Sequence, residues 1–482
     1  MILAVLVGYF ALLMLISCFT GKRSDNDTFF LGNRKSLWYV VAVGMLGSSI
    51  SGVSYISVPG WVAASGFTYM QMVLGFLVGY AIVAELLLPL YYRLNLTSIY
   101  SYLNTRFGKN SQKTGASFFL LSRSIGAAIK LYVIAVVLQY VVNVSFGLQI
   151  HFALMVSAIL LVVWLYTFRG GFKTIIWTDF LQTLLLVASL LLIIWQLLVR
   201  LDLNVMEAVQ TVSKSDYSRI FVFDDWTSRE YFWKHFLSGI FVVIAMTGLD
   251  QDMMQKNLTC KTLREAKLNM YSYGFMFIPL NLLLLSMGVL MYLFAAKNGI
   301  ALPASGDEVL PMLATHADLG TAVSLFFIIG IVSVTFSSAD SAIASLCTSF
   351  YIDILGKDEK HNSLKNRRIR SFIFLAICVL LLTMTLLFRL LNDTSLIDAV
   401  YTIVSYTYGP LLGLFAMGLF FKNIKPDDRL VPYVCIASPI LIAVLQHIST
   451  TYWHYSFGYE LLILNGLISF LGLWAIDKAR TK

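Results

Sequence analysis

Apolar residues in this chain come in blocks of roughly 17 to 28, separated by short charged or turn-rich stretches. That block length constrains the fold more than any other feature. A helix needs about 20 residues to cross ~30 Å of hydrocarbon, whereas the strands of a membrane barrel give alternating segments of about ten. The blocks therefore predict an all-α membrane protein. The supply of charge agrees: 13% of residues are charged and mean hydropathy is +0.78, where soluble domains carry roughly 25% charged residues.

Thirteen spans are expected, at roughly 2–20, 38–62, 67–91, 115–142, 150–168, 173–199, 233–249, 271–296, 319–346, 369–390, 396–420, 429–447 and 459–478. An odd number places the termini on opposite faces. No Lys or Arg precedes the first block and Lys22 and Arg23 follow it, the reverse of a cleaved signal, so it reads as a true span entering from outside. Basic residues crowd cytoplasmic loops. In this orientation 26 of the 35 Lys and Arg fall in inner segments and seven in outer ones, while Arg123 and Lys130 fall inside a span. Topology thus accounts for the net charge of +9, and nucleic acid is not needed as a partner. The expected setting is the cell (inner) membrane, multi-pass, with the N-terminus outside, the C-terminus cytoplasmic, membrane lipid around it and no obligate protein partner. Residues 97–108 are too polar to cross and predict a short cytoplasmic surface helix; residues 200–232 form the longest outer loop.

The chemistry lies inside the spans. The second carries Gly44, Gly47, Gly52, Pro59 and Gly60 with Ser48, Ser49, Ser51, Ser54 and Ser57. Such a composition favours an interrupted helix, and an interruption frees carbonyls that lipid cannot satisfy. Discontinuous helices of this kind build the sites of secondary transporters. The other reading is a packing face of small residues, since Gly44, Ser48 and Gly52 recur at every fourth position. A second polar cluster, Ser333, Thr335, Ser337, Ser338, Asp340, Ser341 and Ser345, sits deep in span 319–346. Lone hydroxyls in a membrane helix bond back to their own helix, but a carboxylate there costs at least ~2.5 kcal/mol unless it is paired or binds a cation. Asp179, within TIIWTDFLQTLL, is a third buried carboxylate candidate, either paired with a base such as Lys130 or helping to hold a cation.

Taken in order, the broken SSISGVSYISVPG span, the SIYSYLNTRFG segment, WTDFLQ, and FSSADSAIASLCTSFYIDIL with its serine pair sixteen residues before Asp353 resemble the sodium/solute symporter family of sodium-coupled sugar, proline, sialic acid, vitamin and iodide carriers. The resemblance implies a leucine-transporter-like five-plus-five inverted repeat with one extra N-terminal and two extra C-terminal helices. The repeats would occupy 38–199 and 233–420, flanked by 1–37, the outer loop 200–232 and the C-terminal pair in 421–482. It implies a sodium ion held by the carbonyls of Gly47, Ile50 and Val334 and the hydroxyls of Ser337 and Ser338. A second cation, present in some members, would use Asp179, Asp340 and Ser341; here an Asp replaces one serine of that set.

For the solute, the resemblance implies a pocket near Ser49, Ser51, Ser54, Tyr69, Gln71 and Gln251. The sugar carriers' acidic and amide pair aligns with Ser54 and Met70, and the carboxylate-gripping arginine of sialic acid carriers with Gly126, so neither specific substrate carries over. The residues themselves offer Arg123 and Lys130, seven apart and on one helix face; they either grip an anionic solute or pair with Asp179, Asp340, Asp250 or Glu85. The expected function is sodium-driven import of a small polar solute, such as a sugar acid or a monocarboxylate. A neutral hexose or polyol carrier and an uncoupled facilitator are the alternatives. An enzyme is not expected, because no histidine sits with a nucleophile deep in a span.

Overall fold

The computed structural model describes residues 2–21, 26–147, 149–167, 170–315, 319–357, 364–391, 396–455 and 457–480. Lys22 and Arg23, on which the expected entry of the first span from outside rests, lie outside them. Among the described residues all regular structure is helical, apart from one isolated bridge between Ser36 and Cys260. Numbered in chain order, the membrane helices are α1 (Ile2–Thr20), α2 (Trp38–Ser49), α3 (Gly52–Ser65), α4 (Tyr69–Arg93), α5 (Lys109–Phe146), α6 (Phe152–Thr167), α7 (Phe172–Leu201), α8 (Phe232–Gly248), α9 (Gln251–Asn257), α10 (Leu263–Lys297), α11 (Gly320–Ser349), α12 (Leu364–Leu391), α13 (Leu396–Thr407), α14 (Gly409–Phe420), α15 (Val431–Tyr452) and α16 (Leu461–Arg480).

Hydrocarbon offers the backbone no partner, so each apolar block closes its own ladder of hydrogen bonds. Eight helices, α4, α5, α7, α10, α11, α12, α15 and α16, are each long and apolar enough to cross a bilayer. Three pairs pass that test only together: α2 with α3, bent by 60°, α8 with α9, bent by 69°, and α13 with α14, bent by 44°. Shorter apolar helices run over Val7–Thr20 and Phe152–Thr167. Each of the two segments expected as repeats therefore opens on a broken helix. The second break is not expected from the sequence, where the apolar run ends at residue 249. In the structure α9 carries the chain on, and all seven of its residues are buried.

The segment around 97–108 also sits deeper than a surface helix. Its helix, Ser101–Arg106, wedges between α5 and α14, with Ile99, Tyr100 and Leu103 fully buried. The 200–232 segment carries a helix of its own, Val205–Lys214, closed at its start by a reciprocal capping box between Asn204 and Glu207.

α7 runs along both α2 and α11, and small residues allow the approach. A Cβ on Gly47 would come to 2.1 Å from Thr183 Oγ1, and one on Gly44 to 3.0 Å from Asp179 Cβ. On α3, a Cβ on Gly52 would meet Thr335 Oγ1 of α11 at 2.5 Å. Interruption and close packing, the two readings of this sequence, are thus both present. The tightest crossing is backbone on backbone, where a Cβ on Gly60 would lie 2.0 Å from the carbonyl oxygen of Gly306. A backbone atom cannot swing aside as a side-chain end can, so Gly60→Ala is expected to cost more than the ~1–3 kcal/mol usual for overpacking. Gly8→Ala, where no atom lies within 4 Å, should be neutral. Melting of the purified variants in detergent checks the contrast; equal midpoints would contradict it.

Candidate functional site

The break between α2 and α3 comes from two residues that leave the helical region, Ile50 at φ −80°, ψ 80° and Ser51 at φ −70°, ψ 170°. Ser51 N–H turns to the carbonyl of Ser49 at 3.0 Å instead of reaching back to Gly47. Ser48 O accepts from Ser338 Oγ at 3.1 Å. Among the described residues, no protein donor reaches the carbonyls of Gly47 or Ile50. The C-terminal end of α2 also carries the negative pole of its helix dipole, so the loose carbonyls sit where a cation is favoured. At the second break the outcome differs. There Tyr91 OH donates to Gly248 O at 2.9 Å and Tyr100 OH to Leu249 O at 2.8 Å, while the Asp250 carboxylate caps Met253 N–H at 3.1 Å. One break is closed by protein and the other is left with open oxygens.

Across from the open break stands α11. Ser338 Oγ also lies 3.2 Å from its own Val334 O. Ser337 Oγ lies 2.8 Å from Ser48 Oγ and donates to Asp179 Oδ1 at 2.7 Å. Ser48, Ser337, Ser338 and Asp179 are all 0–1% exposed. The structure thus brings together the α2 end, the serine pair and Asp179, with oxygens of the hard type that suit an alkali cation.

Lys256 of α9 enters the same cluster. Its ammonium lies 2.7 Å from Asp179 Oδ2 and 2.5 Å from Ser48 Oγ, and the side chain is 1% exposed. The sequence reading placed this lysine among the cytoplasmic loop bases; it is an interior cation. The other second-cation candidates have partners of their own. Asp340 accepts from Tyr166 OH at 2.8 Å and from Ser341 N–H at 2.6 Å. Ser341 Oγ bonds Ser337 O at 2.9 Å and Asp252 Oδ2 at 3.2 Å.

Arg123 resolves to an internal ion pair. Its guanidinium contacts Asp252 directly and lies 3.8 Å from Asp250 Oδ2, and Asp250 in turn accepts from Tyr408 OH. Lys130 differs: it is half-buried, and among the described residues it makes no ion pair or hydrogen bond. Leu121, nine residues earlier and 47% exposed to the surroundings of the bundle, is two and a half turns away, so Lys130 points to the opposite, inner side.

Of the proposed solute contacts, Ser51 and Ser54 have no side-chain hydrogen bond among the described residues. Ser49 Oγ meets Tyr273 OH at 2.5 Å, and Tyr273 meets Tyr80 at 2.8 Å. Tyr69 OH lies 3.1 Å from Tyr401 OH, and Tyr69 lines a cavity of about 200 Å³ together with Trp61, Arg229, His235 and Tyr459. Gln71 and Gln251 are otherwise engaged. Gln71 pins the 200–232 segment through Glu230 O at 2.8 Å and Val222 N–H at 3.2 Å. Gln251 pins Thr97 O at 2.8 Å and Ile99 N–H at 2.9 Å.

Sequence reasoning missed Lys256, Asp252 as the partner of Arg123, and Tyr166. For Lys256 a signal existed: Asp250 reads as an N-cap, and residues 251–258 contain neither Gly nor Pro.

The profile of the Sodium:solute symporter family matches residues 29–427. The human sodium/iodide cotransporter is 28% identical over 440 residues, covering 86% of this chain; the chain spans 65% of that relative's length. The Proteus mirabilis sodium/sialic acid symporter SiaT is 22% identical, covering 91% of this chain and 88% of that one. The human sodium-coupled monocarboxylate transporter 2 is 25% identical, covering 84% and 65%. Among solved structures, a substrate-bound, outward-open Na+-coupled sialic acid symporter superimposes with a TM-score of 0.83 at 21% identity over 99% of this chain and 98% of the other. Mhp1, a nucleobase-cation-symport-1 transporter in a closed conformation, superimposes with a TM-score of 0.56 at 13% identity over 95% and 96%.

The ion pair of Arg123 makes a checkable statement about stability. Arg123→Gln leaves Asp250 and Asp252 buried without their base, which is expected to cost about 3–5 kcal/mol. Adding Asp252→Asn should return part of that loss. A double-mutant cycle on unfolding of the purified protein reads the coupling; strictly additive losses would contradict the pairing.

Proposed function

Because the chain belongs to the sodium:solute symporter family, we propose that it imports a small organic solute driven by sodium, by alternating access, in the cell membrane. The supporting observation is the open break. Two carbonyls at the end of α2 and the break beyond it, Gly47 and Ile50, lack a protein donor among the described residues beside the paired hydroxyls of α11, and these are oxygens assigned to sodium from the sequence. A monovalent cation there draws on two helices at once. It binds well only when they are in register, and that differential affinity couples binding to conformation. Sodium entering down the membrane potential contributes ~2.3 kcal/mol per charge per 100 mV. No covalent step is involved.

The solute is anionic in this reading. Lys130 is an interior base without a carboxylate partner among the described residues, and such a charge inside a span calls for a counter-charge. It stands one turn beyond Gly126, where an added Cβ would meet no atom within 4 Å. A sugar acid or a monocarboxylate supplies a carboxylate of the right size and sign, and the sialic acid and monocarboxylate carriers among the relatives make both classes worth testing first. Ser51 and Ser54, with free hydroxyls, would serve its polar groups. The N-terminus lies outside and the C-terminus in the cytoplasm, as the distribution of bases supports.

Uptake into proteoliposomes in sodium and in choline tests the reading. Ser337→Ala with Ser338→Ala is expected to raise the half-saturating sodium concentration at least tenfold, equivalent to about 1.4 kcal/mol. Unchanged sodium dependence would remove the pair from the site, and equal uptake in choline would leave a facilitator. Lys130→Gln should weaken an anionic solute at least tenfold more than a neutral analogue of the same shape; equal effects would point to a neutral solute.

A further inference from the structure

The oxygens around Asp179 already hold a cation, and it belongs to the chain. Asp179 presents both carboxylate oxygens to one cluster: Oδ1 accepts from Ser337 at 2.7 Å, and Oδ2 faces Ser48 Oγ at 3.1 Å. A carboxylate flanked by two hydroxyls, from α7, α2 and α11, is a hard-oxygen set of the kind that takes an alkali ion. Lys256 puts its ammonium 2.7 Å from Asp179 Oδ2 and 2.5 Å from Ser48 Oγ. The hydroxyl of Ser48, itself 2.8 Å from that of Ser337, links the ammonium to the serine pair. Lys256 reaches this point only because the second broken helix continues inward as α9 with all seven residues buried.

We propose that Lys256 is a tethered cation that fills the Asp179 site permanently, so that this chain takes up one sodium ion per cycle and not two. The inference rests on the sodium-coupled reading and deepens it. A tethered ammonium neutralises Asp179 and fastens α9 to α2 and α7, but it draws nothing from the ion gradient. The solute can then be concentrated only in proportion to the first power of the sodium ratio, not its square. Asp340, whose oxygens go to Tyr166 and to Ser341 N–H, does not provide a replacement site, because its neighbour Ser341 is turned to Asp252 and Ser337 O.

A purely structural ion pair would share the geometry but not the consequence for ion count. The discriminating measurement is equilibrium binding of radioactive sodium to the purified full-length protein, together with the Hill coefficient of sodium-induced thermal stabilisation. Wild type is expected to bind one sodium per chain with a Hill coefficient of 1. Lys256→Met, which removes the ammonium and leaves Asp179 charged, is expected to bind two, with the coefficient rising toward 2. Should that variant fail to fold, Asp179→Asn with Lys256→Met removes both charges and carries the test: one sodium is expected, and two would overturn the proposal. Two sodium ions on wild type, or one on a folded Lys256→Met with unchanged affinity, also overturns it. No sodium bound by wild type at all would overturn the sodium-coupled reading beneath it, a result distinguishable from either.

Discussion

A helix interrupted inside hydrocarbon leaves carbonyls that lipid cannot serve, and the arrangement of this protein follows from how those carbonyls are answered. Of the three bent pairs among the described residues, the first two are treated differently. At the α8–α9 break, Tyr91 and Tyr100 donate to the freed carbonyls and an aspartate caps the new helix start, so the bend is fixed by protein alone. At the α2–α3 break, Ser338 serves one carbonyl and Ser51 N–H another, and Gly47 and Ile50 stay open. In the proposed function the first break is therefore the place where a mobile ligand would change the energy of the fold. It is held against α7 and α11 by contacts that only small residues permit.

The buried charges show the same economy. Arg123 serves Asp250 and Asp252, and Lys256 serves Asp179. Both pairs join α9 or the residue before it to a helix of the first repeat as read from the sequence. The second broken helix is thus anchored by ions on two sides, while the first is anchored by hydroxyls and close packing. Hydroxyl contacts exchange for an ion at little cost, whereas breaking a buried ion pair costs several kcal/mol. The expected moving contact is accordingly the one between α2 and α11.

Much of this was legible in the sequence because it depends on local composition. Long apolar blocks showed the helices, the density of Gly and Ser showed the interruption of the second span, and polar side chains in an apolar run showed the α11 cluster. What could not be read depends on tertiary placement. Of the four carboxylates weighed for Arg123, the fold keeps Asp250, and it adds Asp252, which the sequence did not suggest. Gln71 and Gln251 had the right chemistry for a solute contact, but both are spent on holding backbone. Lys256 was hidden because the apolar run stops at Leu249 and the polar residues after it imitate a loop. The chain affords these residues inside the membrane only because each is buried against a partner, which hydropathy does not register.

The central claim is that sodium closes the open break in α2 onto α11. Hydrogen–deuterium exchange of backbone amides in peptides spanning 46–53 and 334–341, compared in sodium and in potassium at equal ionic strength, tests it most directly. The account predicts slower exchange in both segments in sodium, with the α8–α9 break around 248–253 unchanged. Identical exchange at the first break in the two salts would contradict it.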